Sequence, residues 1–431
     1  MQTYARFLIG ATASGSGKTT LTLGLLRCLR NRGLKVQPFK CGPDYIDTKF
    51  HDLASGERSY NLDTFLSSDE HVRELFHTHS LHKDVCVTEG VMGLFDGYER
   101  MKGSSAEIAS LLHIPVILVI NAKSMAYSAA ALLYGFKNFH SSLEVVGVIF
   151  NFVSSESHYH YLKEACQETG IEPLGWLPLQ KDLQIPSRHL GLNMDKDFLF
   201  DDFAEKAATF VENHIDVDRL LTLTTTTSSY SYSFEDRPSG TFKIAVARDE
   251  AFNFIYHENI TRLRALGEVI YFSPLKDLIL PEADLVYLPG GYPELFLETL
   301  SRNRDMHKSI QEYIEKGGKV WAECGGMMYL SRSITDKEGK EYPMVGIFDQ
   351  KATMEQMKLT LGYRKFRYKG LSLTGHEFHY SKIDQLLPGE VNQYNARGTR
   401  VNTLLLRYKN ALASYTHLYW GDKENILDIF N

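Results

Sequence analysis

The chain has 431 residues, room for two packed cores. Its 43% hydrophobic and 23% charged residues are the mix of a folded globular protein rather than a disordered one. Lys and Arg total 47 against 53 Asp and Glu, and a net charge of −6 argues against nucleic acid or an anionic membrane surface as partner. No apolar run approaches the roughly 20 residues of a spanning helix, and the first residues, MQTYARFLIGATASGSGKTT, lack the basic-then-apolar order of a secretory signal.

From Phe7 to about Leu192, short β-branched runs alternate with helix-like stretches. FLIGA, KVQPFK, VCVTEG, PVILVIN and VVGVIFN each read as a strand ending in a polar or glycine-rich turn. Their continuous apolar character predicts parallel strands covered on both faces. A helix is expected over Thr19–Arg32, closed by Gly33. The pattern is that of a doubly wound α/β fold.

The strand–loop–helix order of FLIGATASGSGKTTLTLGLL is a phosphate cradle. Gly15 and Gly17 let backbone N–H groups of the Gly15, Ser16, Gly17, Lys18, Thr19, Thr20 loop converge on a phosphate, at the positive end of the helix that follows. Lys18 can reach the terminal phosphates, and Thr19 offers a hydroxyl to Mg²⁺. The strict pattern would have Gly at position 12; Thr12 stands there, with glycine at Gly10. Neighbouring strand ends bring four candidate acids, Asp44, Asp47, Glu89 and Asp96, for a metal and for a water or substrate. Lys40, on the second strand, can neutralise phosphates or a substrate carboxylate.

HTHSLH, with His77, His79 and His82, reads as a solvated helix or loop, since no acidic or thiol ligand flanks it at zinc spacing. TLTTTTSSYSYSFEDRPSG has little to bury and reads as a solvated linker. It divides a domain over 1–221 from a second α/β domain over 242–431, with the linker at 222–241. In the second domain KIAVA, EVIYFS, LVYLPGG and KVWAEC are the expected strands.

Five cysteines are scattered with no C-x-x-C pair, which argues against a disulfide framework or a zinc site and for a reducing, cytoplasmic setting. Cys28, Cys41, Cys86 and Cys166 read as small hydrophobes. Cys324 differs: WAECGGMMYL puts it on a sharp strand-to-helix turn, where a helix N-terminus is expected to lower a thiol pKa. Gly290 and Gly291, ending an upstream strand, and Gly325 can supply the N–H groups of an oxyanion hole. Three histidines are candidate bases by spacing: His417 in SYTHLYW, and His376 and His379 in GHEFHYS.

Taken in order, ATASGSGKTT, PFKCGPDYID, TEGVMGLFDG, PSRHLGL, AVARDEAF, GGYPEL, AECGGMMYL, GHEFHY and SYTHLYW resemble the glutamine amidotransferase family of cobalamin biosynthesis, in its a,c-diamidating branch. The resemblance spans nearly the whole chain. It implies a dethiobiotin-synthetase-like P-loop domain followed by a cysteine-type, class I glutamine amidotransferase domain. It also implies ATP and L-glutamine as co-substrates, Mg²⁺ as cofactor, and a small-molecule tetrapyrrole acid as substrate, amidated first at c and then at a. By that resemblance Cys324 attacks glutamine and His417 raises its nucleophilicity. Thr19, Glu89 and Asp44 belong to the Mg²⁺ and ATP, and Asp47, Asp96 and Lys40 to the substrate carboxylate and its acyl phosphate.

Where the usual triad ends H-P-E, Leu418 and Tyr419 follow His417, so a Cys–His dyad is expected. NAKSMAYSAAALL departs from the family's usual stretch and leaves Asn121 and Lys123 without a role. Cobyrinate, hydrogenobyrinate and nickel-sirohydrochlorin all stay open as the macrocycle, and monomer and homodimer as the assembly. A non-catalytic P-loop switch would carry a lysine at Ala13 and leaves Cys324 unexplained.

Overall fold

The computed structural model describes residues 2–183, 199–228, 240–384, 387–423 and 425–431. The chain divides into two compact units, Met1–Thr64 with Ser68–Phe234, and Phe65–Ser67 with Glu235–Asn431.

In the first unit the apolar runs become strands β1 (Gln2–Ala11), β2 (Val36–Cys41), β3 (Tyr60–Leu62), β4 (Val85–Glu89), β5 (Val116–Asn121), β6 (Val145–Asn151) and β7 (Glu172–Leu177). They pair in parallel in the order β3-β2-β4-β1-β5-β6-β7. Phe7, Leu8 and Ile9 are fully buried, as strands covered on both faces require. The order reverses beside β1, so the loop after β1 opens at the crevice where doubly wound sheets place their ligands. In register, Glu89 lies opposite both Ile9 of β1 and Lys40 of β2. Equal register on parallel neighbours sends Lys40 and Glu89 to the same face.

The expected helix forms over Lys18–Asn31, and Gly33, at φ 80°, ends it by donating to the Arg30 carbonyl. Its inner face packs on the helix Phe200–His214 through Gly24. A side chain there would meet the Ala207 carbonyl oxygen at 2.7 Å.

The Thr-rich run departs from the solvated linker expected from Thr222. Val217–Thr224 is helical, and Thr225–Ser228 form β8, antiparallel to Gln2–Ala5. The sheet supplies the reason: β4 meets β1 only from Ala5 and β5 only from Leu8, so the start of β1 needs a partner. Threonine, being β-branched, suits that strand. The rest of the run, 229–239, and the PSRHLGL motif lie outside the described residues.

In the second unit β9 (Phe242–Ala247), β10 (Gly267–Phe272), β11 (Leu285–Leu288) and β12 (Lys319–Glu323) are the expected strands. A small sheet of β13 (Ser331–Thr335), β14 (Glu341–Pro343), β15 (Phe348–Thr353) and β18 (Lys382–Ile383) follows. The remaining strands are β16 (Thr360–Tyr368), β17 (Leu371–His379), β19 (Val391–Tyr394), β20 (Arg400–Tyr408), β21 (Ala411–Ser414) and β22 (His417–Leu418). Strands β10-β9-β11-β12-β21 run parallel, and the same sheet continues through β20-β19-β16-β17-β22 in antiparallel pairs. The antiparallel half is an addition to the expected doubly wound plan. Its period-2 pattern shows in RKFRY, where Arg364, Phe366 and Tyr368 are buried and Lys365 and Arg367 exposed. Among the described residues no helix is long and apolar enough to cross a membrane.

Candidate active sites

The loop after β1 wraps a cavity of about 580 Å³, within the usual range for ligand sites. Gly15, Gly17, Lys18, Thr19, Thr20, Lys40, Asp44, Asp47 and Glu89 all line it. Ser16 turns away, its hydroxyl on the Ala13 carbonyl. Gly15 and Gly17 both take positive φ, 76° and 87°. At Gly17 a side chain would also strike Nδ2 of Asn151, 2.1 Å away. Asn151 donates from that nitrogen to the Ser16 carbonyl at 2.9 Å and so holds the loop from the end of β6.

Glu89 is the hub of the site. Its Oε1 accepts from Thr19 Oγ1 at 2.7 Å and Lys40 Nζ at 2.9 Å, and its Oε2 meets His51 Nε2 at 2.7 Å. Lys40 also donates to Asp47 Oδ2 at 2.7 Å, and all of Lys40, Asp47, His51 and Glu89 are buried. Burial alone would raise the Glu89 carboxyl, yet Lys40 and His51 outweigh it and hold it below the ordinary range. The Lys40 ammonium is likewise pushed down by burial and raised, on balance, by Asp47 and Glu89. The phosphate-loop lysine goes the other way: burial lowers Lys18, whose ammonium rests on the Met92 carbonyl.

Asp44 uses Oδ1 to accept from the N–H groups of Ile46 and Asp47, both at 2.8 Å, in the turn that leads into the helix Asp47–Ser55. Asp96 does not line the cavity; its carboxylate braces the EGVMGLFDG loop by accepting from Gly93 N–H. Asn121 likewise binds its own turn, accepting from Lys123 N–H at 3.0 Å.

In the second unit Cys324 sits between β12 and the short helix Gly325–Leu330 at φ 44°, ψ −103°, a strained turn for a residue with a side chain. The predicted drop in its pKa is not found. Burial, then Glu294 and Glu377, push the thiol well above its ordinary value, and the Gly325 N–H opposes them without winning. A six-residue helix cannot offset full desolvation. Burial, with His376 and His379 adding to it, keeps His417 well below its usual pKa. Both shifts favour the uncharged forms, a thiol at Cys324 and a neutral imidazole at His417.

His417 packs on Gly290, whose hydrogen faces the ring where a Cβ would fall 2.1 Å from Cε1. A Cβ on Gly325 would lie 3.1 Å from Gly291 N, so those two backbones face each other across the turn. Strand pairing sets His376 directly opposite His417. His379 is committed elsewhere: Nε2 to Glu377 at 3.1 Å, Nδ1 to the Ser381 carbonyl at 2.9 Å, its ring stacked on Tyr415.

In the other histidine cluster His82 is exposed, as a solvated stretch requires, but His77 is not. His77 is buried in the helix Asp69–Ser80, where desolvation lowers it to about 4. His79 stacks on Tyr60 with ring centroids 3.6 Å apart. Helical period points His77 inward, a signal that VRELFHTHS carried. All five cysteines are free and buried.

Three residues that touch the candidate site residues do not stand out in the sequence. Asn151 was visible only as the polar end of VVGVIFN, His51 only as a histidine one helical turn after Asp47. Glu323, beside Cys324, places Oε2 3.9 Å from His417 Nδ1, and burial pushes its carboxyl up to about 7.

The CobQ/CobB/MinD/ParA nucleotide binding domain family matches residues 7–192, and the CobB/CobQ-like glutamine amidotransferase domain family matches residues 243–425. Proteins named cobyrinate a,c-diamide synthase align nearly end to end. That of Caldanaerobacter subterraneus subsp. tengcongensis is 42% identical over 96% of this chain and 94% of its own. That of Picrophilus torridus is 42% identical over 98% and 97%, and that of Listeria innocua 39% over 98% of each. With both domains matched in order and both chains covered, this protein belongs to the cobyrinate a,c-diamide synthase family.

Proposed function

We propose that the chain amidates the a and c carboxylates of cobyrinate, or of its cobalt-free counterpart, with ATP and the amide nitrogen of glutamine. One observation carries this reading. A single chain holds both a phosphate-loop cavity lined by Lys18, Thr19, Lys40 and Glu89 and, in its second unit, a buried Cys324 turn whose Gly325 faces Gly291, with His417 packed on the neighbouring Gly290.

At the first site the phosphates lie along the Gly15–Thr20 loop, and Phe152, Leu177 and Phe210 give the base an apolar wall. Lys18, parked on the Met92 carbonyl, exchanges that acceptor for phosphate oxygens. Thr19 and Glu89, hard oxygen donors 2.7 Å apart, fit Mg²⁺, with Asp44 on the same cavity. Mg²⁺, when bound, supplies neutralisation of phosphate charge. A substrate carboxylate oxygen bonds to the γ-phosphorus and ADP leaves; ammonia then attacks the acyl carbon and inorganic phosphate departs. Lys40 and Asp47 hold Glu89 in place and set the charge at the reacting carboxylate.

At the second site His417 takes the Cys324 proton as sulfur bonds to the glutamine amide carbon. Gly291 and Gly325 N–H groups receive the oxyanion, and ammonia leaves a thioester that water cleaves to glutamate. Five free cysteines suit a reducing compartment, and we place the enzyme in the cytoplasm.

The test is mass spectrometry of cobyrinate incubated with ATP, Mg²⁺ and ¹⁵N-amide glutamine. Two successive labelled amidations are expected. ATP turnover indifferent to glutamine, with no amide formed, overturns the reading; faster turnover of nickel-sirohydrochlorin reassigns the macrocycle.

A further inference from the structure

We infer that Glu323 is the positioning residue for His417, so that the acid partner of the imidazole comes from the strand before the nucleophile. The inference rests on Cys324 and His417 forming the glutaminase pair.

Glu323 ends β12, and its side chain shares a face with Trp321, two residues earlier. Trp321 Nε1 donates to Oε1 at 2.8 Å, Leu418 N–H to the same oxygen at 2.9 Å, and Tyr287 OH to Oε2 at 2.8 Å. Three donors from β11, β12 and β22 thus lock a carboxylate that is 1% exposed. What Oε2 still faces is Nδ1 of His417, 3.9 Å away. That gap exceeds a hydrogen bond, but catalytic contacts in ligand-free enzymes are commonly long and tighten with substrate.

The chemistry explains why a carboxylate belongs there. A proton held on Nδ1 toward Glu323 leaves Nε2 with its lone pair, the form that accepts the Cys324 proton. The imidazolium that results is formed in a buried site, where an adjacent carboxylate is its natural counter-charge. In triads of the H-x-E type the acid stands two residues after the histidine. Here that residue is Tyr419, and the N–H of Leu418 between them is what Glu323 grips. A residue that merely tied the strands together would need only a hydrogen-bond acceptor, which an amide also provides.

The experiment compares full-length wild type, Glu323→Gln, Glu323→Asp and His417→Ala for glutaminase kcat and KM and for amidation driven by ammonium salts. Glu323→Gln should lower glutaminase kcat by about 10²–10⁴-fold, with KM and ammonium-driven amidation little changed. Glu323→Asp should recover part of that loss. A Glu323→Gln enzyme with wild-type glutaminase kcat, or one losing both activities equally, overturns the inference. Should Glu323→Gln not fold, Glu323→Asp and Tyr287→Phe decide: a selective glutaminase loss supports the role, and wild-type kcat in both removes it. His417→Ala with intact glutaminase would instead sink the assignment of the pair itself.

Discussion

Gly290 and His417 occupy adjoining space so closely that a Cβ on the glycine would fall 2.1 Å from Cε1 of the ring. The loop after β11 therefore sets how far the imidazole can move. Gly290→Ala should displace the His417 ring and lower glutaminase turnover by about 10²-fold or more, the usual worth of a general base. Ammonium-driven amidation should persist. Steady-state assays with each nitrogen source check this, and equal loss with both would mean the turn collapses as a whole.

The two sites should separate by substitution. Cys324→Ala should abolish glutamine-driven amidation and spare the ammonium-driven reaction. Lys18→Ala should stop both, because no acyl phosphate forms. Diamide made by Lys18→Ala from ammonia at near wild-type rate would place ATP elsewhere.

Lys40 sits between Asp47 and Glu89 with all three buried, so losing one acid leaves a buried cation short of charge. Asp47→Asn should destabilise the protein by about 3–5 kcal/mol, as breaking a buried pair commonly does, and should slow the second amidation more than the first. Urea unfolding without nucleotide reads the first effect, and accumulation of a monoamide in the mass spectrum reads the second. Unchanged stability would mean that water reaches the cluster.

Glu258 supplies a pH test away from either reaction. It is 5% exposed, neither oxygen has a hydrogen-bond partner among the described residues, and burial raises its carboxyl from 4.5 to about 7. The folded pKa lies above the unfolded one, so the native state binds this proton more tightly. Its stabilising effect is complete below pH 4.5, fades as pH rises toward 7, and is gone above that. Glu258→Gln should therefore gain about 3 kcal/mol relative to wild type on going from pH 5 to pH 8. Unfolding midpoints at the two pH values measure it, and an equal shift at both would count against a titrating Glu258.

What the sequence determined by itself was local. Apolar runs FLIGA, PVILVIN and VVGVIFN are short, apolar and bounded by polar or glycine turns, the pattern of buried strands, and the strand-then-helix setting of ASGSGKTT marks a phosphate loop. The Cys324 turn was legible for the same reason: strand, cysteine and paired glycines are contiguous. The structure alone decided what depends on pairing across distance. Lys40 and Glu89 became one hub because β2 and β4 are neighbours in equal register, though 49 residues separate them. Thr225–Ser228 became a strand because the start of β1 lacked a partner on one side. Glu323 reached His417 because β12, β21 and β22 bring residues 323 and 417 together, a meeting that no spacing along the chain encodes. The thiol's raised pKa followed from burial, which a helix N-terminus read from GG could not foretell, because desolvation is set by everything packed around the sulfur.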